Sequence, residues 1–106
     1  MLFRSYRDKK KLLRGFGRRL QRDFFRITCG FTGAPLILSV LLDNGLTDVA
    51  YRMLLTEEFP GWLYAVKLGA TTIWERWNSL EPDGTISGTG MNSLNHYAYG
   101  SVCEAI

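Results

Sequence analysis

The stretch GATTIWERWN, residues 69–78, sets Glu75 beside Arg76 and between Trp74 and Trp77. A carboxylate against indole walls has its charged form desolvated, which raises its proton affinity and suits it to general acid or base work. Indole faces are also large flat apolar surfaces that can cover the C–H face of a pyranose ring. Further on, NSLNHYAYG places His96 between Asn95 and Tyr97. A neutral imidazole offers one donor and one acceptor and an amide offers both, so the two side chains can read sugar hydroxyls. The intervening segment is rich in glycine and can fold back to bring Glu75 and His96 together. A plainer arrangement uses the same residues: a surface Glu75–Arg76 pair, tryptophans in the core and a structural His96. Composition and spacing leave both open.

The elements that must hold these residues are short helices. In KKKLLRGFGRRLQRDFFR, Leu13, Phe16, Leu20 and Phe24 recur at helical spacing, with Lys and Arg on the other faces. Gly15 and Gly17 each weaken that helix by about 1 kcal/mol relative to Ala. Gly30 and Gly33 punctuate TCGFTGAP, and Pro35 suits the first turn of a new helix. PLILSVLLDNG reads as a buried helix stopped by Asn44-Gly45, and Thr47 is placed to cap the next, DVAYRMLL. Pro60-Gly61 resets the chain before Trp62–Leu68, and Gly69 ends that segment. TTIWERWN has no clear period, and residues 79–92 form a polar loop with a Pro82-Asp83-Gly84 turn. The final segment resumes as a helix from Asn92 or Ser93. The fold class is all-α, built from helical hairpins.

Bulk properties limit the function classes. The 106 residues suffice for one small domain, and 46% hydrophobic with 22% charged residues is globular composition. The longest apolar run, residues 34–42, is interrupted by Ser39 and falls short of the about 20 residues that span a bilayer. Residues 1–26 carry ten Lys or Arg against Asp8 and Asp23, a balance of +8. The rest carries Arg52, Lys67 and Arg76 against eight acids, a balance of −5. Cys29 and Cys103 with a single His offer no zinc-ligand spacing, so neither a metal nor a cofactor is expected, and the two read as a pair of buried, reduced thiols. No apolar h-region follows the basic start, so the chain as written reads as cytoplasmic, and one serine is too few for a mitochondrial presequence.

GATTIWERWNS, then PDG, then GMNSLNHYAYGSV closely resembles the end of the catalytic domain of bacterial α-L-rhamnosidases, glycoside hydrolase family 78. TCGFTGAPLILSVLLDNGLTDVAYRMLL resembles the helical segment before it, where that family has a TGF-x-GTP-like turn. The resemblance covers residues 28–104. It implies an (α/α)6, six-hairpin barrel, of which this chain holds an incomplete part, and an inverting release of terminal α-L-rhamnose from rhamnosides. Such enzymes use two carboxyl groups, one protonating the leaving oxygen and one activating water, roughly 6.5–9.5 Å apart. By resemblance, Glu75 is the general base and His96 contacts rhamnose. Trp74, Trp77 and Asn95 take wall and support positions.

The family's general acid lies in an upstream Asp/Glu-rich motif that these residues lack. Residues 1–26 do not resemble the family, which divides the chain into a basic arm (1–26) and a partial catalytic domain (27–106). These expectations describe a fragment from a truncated or frameshifted gene, nearly inactive alone, with exposed apolar helix faces that favour self-association. The competing reading is a small helical binding protein whose basic arm, with Phe3, Tyr6, Phe16, Phe24 and Phe25, contacts nucleic acid or an anionic membrane surface. A solvated basic helix face accounts for that arm more simply, so a nucleic-acid partner is not expected.

Overall fold

A computed structural model describes residues 6–88 and 90–106. The first five residues of the basic arm, Phe3 among them, and Thr89 of the polar loop lie outside the described residues. Helix α1 runs Tyr6–Arg22, α2 Ala34–Asp43, α3 Thr47–Leu54 and α4 Trp62–Lys67, and a 3₁₀ helix closes the order at Ala98–Glu104. Among the described residues there is no β-strand, only an isolated antiparallel bridge between Leu80 and Ile86. The architecture is all-α, as the spacing predicts.

Two glycines set the hairpin geometry. At the end of α2 the Leu46 N–H reaches back to the Leu41 carbonyl (2.8 Å) and the Gly45 N–H to Leu42 (3.1 Å). Gly45 sits at φ +75°, the left-handed position that this helix stop requires. The end of α4 repeats the device: Ala70 N–H to Ala65 (3.0 Å), Gly69 N–H to Val66 (2.9 Å), Gly69 at φ +86°. Thr47 is the first residue of α3 rather than its cap, since Leu46 occupies the cap position and no side-chain cap bond forms.

The core gathers Leu20, Ile27, Ala34, Leu38, Leu41, Ala50, Met53, Trp62, Tyr99 and Val102. Helix α2 packs on α3 and on the 3₁₀ helix. It is not buried all round as its apolar sequence predicts: Ala34, Leu38 and Leu41 face the core, while Leu36 and Val40 are exposed (64% and 43%). With neighbours on one side only, its opposite apolar face stays in solvent. Among the described side chains of α1 only Leu20 is buried. Its earlier turns run clear of the core, and the molecule is elongated, 48 × 23 × 23 Å. Phe24, predicted on the α1 apolar face, instead lies past the helix end at φ +55° and is 76% exposed.

Candidate active site

The segment from Gly69 to Tyr97 is almost wholly irregular, and its backbone polar groups are satisfied by pairing two distant stretches. The Glu75 N–H donates to the Ser93 carbonyl (2.8 Å) and the His96 N–H donates to the Ile73 carbonyl (2.8 Å). The Thr72 hydroxyl donates to the Leu94 carbonyl beside them. This pairing replaces the helix expected from Asn92 or Ser93, because it engages the Ser93 carbonyl and the His96 N–H that such a helix would use. The Ser93 hydroxyl, moreover, makes a local turn with the Asn95 backbone.

Each functional side chain gains its position from that pairing. The Ser93 N–H donates to Oε2 of Glu75 (2.8 Å), a charge-assisted bond that fixes the half-buried carboxylate. Glu75 lines an open groove of about 440 Å³ with Phe31, Arg76, Gly90 and Met91. The His96 Nδ1 accepts the Ala98 N–H (3.3 Å), so the neutral ring carries its proton on Nε2 and presents a donor there. His96 stacks on the exposed Tyr97 (5.4 Å between centroids, 7° between planes) and lies 6.1 Å from the Phe31 ring. Phe31 therefore borders both the Glu75 groove and His96. Asn95 is exposed on the neighbouring turn and bonds through its backbone.

Both tryptophans face elsewhere. Trp77 Nε1 donates to the Cys29 carbonyl (2.8 Å), and its ring stacks on Tyr99 at 3.7 Å and meets Trp62 edge-on at 5.1 Å. Trp74 is 5% exposed, and with Trp77 it lines a separate cavity rather than the Glu75 groove. The Glu75–Arg76 surface pair is not formed: Arg76 Nη1 donates to the Ser87 carbonyl (3.0 Å). The fully buried Ser79 bonds both the N–H and the carbonyl of Arg76 (3.1 Å each). Asn92 Nδ2 clips the Ser79 and Ser87 carbonyls together (3.1 and 2.9 Å), closing the loop from Arg76 to Asn92 immediately before Ser93.

Sequence reasoning missed Phe31, Met91, Asn92 and Ser93. Phe31 lies in a glycine-flanked turn that reads as punctuation, and its place beside His96 depends on a contact across most of the chain. Asn92 carried a signal, since a buried amide between glycine and serine turns commonly ties loop carbonyls together.

Residues 2–106 match the family described as the bacterial α-L-rhamnosidase six-hairpin glycosidase domain. The chain belongs to this family. Over 80 residues it is 54% identical to an α-L-rhamnosidase of Streptomyces avermitilis, an alignment covering 76% of this chain and 8% of that protein. Its fold superposes on the crystal structure of the Aspergillus terreus α-L-rhamnosidase with a TM-score of 0.90 and 37% identity, over 94% of this chain and 12% of that one. The Streptomyces avermitilis α-L-rhamnosidase solved in complex with L-rhamnose gives a TM-score of 0.77 and 49% identity, over 82% and 8%. This rhamnosidase-family chain thus spans about a tenth of the length of the relatives it matches. Its helical architecture fits part of a six-hairpin toroid.

Proposed function

We propose that this chain carries the water-activating half of an inverting α-L-rhamnoside hydrolysis site. Glu75 acts as the general base and His96 binds the rhamnose. The observation that supports this reading is the backbone pairing of 73–75 with 93–96, together with the Phe31 ring, which lines the groove with Glu75 and lies beside His96. Ser93 holds Oε2, leaving Oε1 to take the proton of a water that attacks the anomeric carbon. The His96 Nε2 proton donates to a sugar hydroxyl, while Phe31 and Tyr97 offer apolar ring surface to the sugar's C–H face. Trp74 and Trp77 support the segment from behind rather than touching the sugar. Asn95 contributes from the exposed turn.

Among the described residues no second carboxylate lines the groove. Protonation of the leaving oxygen then falls to a group outside it, and hydrolysis by these residues alone is lower by about 10²–10⁴ from that loss. The division at residue 26 belongs to the same proposal, as a structural division within a family match that itself starts at residue 2, since among the described side chains of α1 only Leu20 is buried. Calorimetric titration of L-rhamnose into the chain tests the reading. Heat that persists in Glu75→Gln and disappears in His96→Ala is the expected result, and a folded, monomeric chain that takes up no rhamnose refutes it.

A further inference from the structure

A cavity of about 270 Å³ lies under the stretch from Gly61 to Trp77, and Arg76 is the sole lining residue it shares with the Glu75 groove. All three tryptophans of the chain border it, together with Tyr99. Trp62 and Trp77 meet edge-on and Trp77 stacks flat on Tyr99, so the rings of the aromatic wall hold one another in place. Trp62 is tied to the Tyr99 carbonyl (2.9 Å) and Trp77 to that of Cys29, which satisfies both indole N–H groups. What these rings present inward is therefore apolar surface. Space opens because Ala65 and Ala70 stand where larger side chains would fill it.

The chemistry of an occupant follows from size, walls and charge. An apolar cavity of about 150 Å³ holds a benzene ring, so this one has room for a bicyclic or substituted single ring. Indole walls favour a flat aromatic partner, stacked or edge-on. Arg76 is half-buried and borders the cavity, and no carboxylate among the described residues pairs with it. Its Nη1 bonds the Ser87 carbonyl, which pins the group without neutralising it. An unpaired guanidinium recruits an anion through charge-assisted hydrogen bonds.

We propose that this cavity is a binding site for a small planar aromatic carboxylate, its ring against Trp62, Trp74 and Trp77 and its charge on Arg76. The site meets the Glu75 groove only at Arg76 and does not depend on the role assigned to Glu75.

The test is calorimetric titration of the full chain with 1-naphthoate and, in parallel, with the neutral isostere 1-naphthalenemethanol. Near-ultraviolet circular dichroism is recorded at each point, where every indole reports on the cavity. The expected result is saturable binding of naphthoate with a change in the indole bands, and weaker binding of the alcohol. Ala65→Leu, which fills the space, weakens both by about tenfold or more. Arg76→Gln weakens naphthoate by about tenfold and leaves the alcohol unchanged, which also shows that the variant is folded. Absence of naphthoate binding, or binding unaltered by Ala65→Leu, overturns the proposal. So does a naphthoate affinity that Arg76→Gln leaves intact.

Discussion

Trp77 decides whether the WERW stretch is a framework or a sugar wall, and a graded pair of substitutions separates the two. Trp77→Phe keeps a ring against Tyr99 and Trp62 but removes the indole N–H, leaving the Cys29 carbonyl without its 2.8 Å partner. That hydrogen bond is worth about 1 kcal/mol net. The smaller ring forfeits a further ~0.5–1 kcal/mol of burial and ring contact. Trp77→Ala loses the stack, the edge contact and the bond together. Fully buried Trp→Ala changes cost about 3–5 kcal/mol, and the half-buried position puts this one near the lower end. A domain of this size has roughly 5–15 kcal/mol in all. Urea unfolding followed by far-ultraviolet circular dichroism should therefore show Trp77→Phe losing about 1 M in midpoint at unchanged slope, and Trp77→Ala two or more times that. Rhamnose titration of the folded Trp77→Phe chain should show binding retained but weakened, because the ring faces Cys29 and Tyr99 and not the Glu75 groove, and reaches the site only by positioning Phe31 through the Cys29 carbonyl. Two variants as stable as the parent to within about 0.5 kcal/mol would refute the framework argument. A stable Trp77→Phe chain that has lost rhamnose entirely while Phe31 keeps its contact with His96 would make the indole a sugar contact after all.

Alkaline stability should fall in a defined window. Burial raises the Cys29 thiol above 9.0 and the Tyr99 phenol above 10.0, the latter helped by charge on Cys29. Burial, then the charges of Glu81 and Asp83, raises the Tyr64 phenol above 10.0. The fold favours the neutral form of all three. Their contribution is complete below those ordinary values and is lost as pH rises through the raised ones. The urea midpoint should decline as pH rises above about 9, and less steeply in Tyr64→Phe; a flat profile would contradict the burial of these groups. The two thiols are not both buried as expected, since Cys103 lies exposed in the closing 3₁₀ helix, so alkylation by iodoacetamide, mapped by mass spectrometry at pH 8, should label Cys103 well before the partly buried Cys29. The exposed apolar residues Leu36, Val40, Leu55 and Val66 should make the chain self-associate with rising concentration. Light scattering of Leu36→Lys/Val40→Lys beside the parent checks this, and equal masses at every concentration would rule out the α2 face.

What could be read in the sequence and what could not divide along the range of the interactions. The stops of α2 and α4 are local: a glycine free to adopt positive φ, followed by a residue whose N–H reaches back one turn, is encoded within six positions. These were legible, as was the helical class. The failures share one cause. Phe24 keeps the α1 period but not the helix, because the chain turns at Phe24 and Phe25, both at positive φ, once Leu20 has entered the core. The helix expected from Asn92 is displaced by hydrogen bonds to a strip some twenty residues earlier, which no local propensity records. Glu75 and His96 were singled out from their residue types and from family resemblance, and spacing alone left their meeting open. The groove around them depends on Phe31 arriving from the turn before α2. That arrival is secured at a distance by Trp77, whose indole holds the Cys29 carbonyl two residues before Phe31. The tryptophan that looked like a sugar wall thus positions the ring that borders the site, and Trp77→Ala should disorder Phe31 as well as weaken the core. A Phe31 ring whose nuclear Overhauser contacts with His96 survive in that variant would break this link.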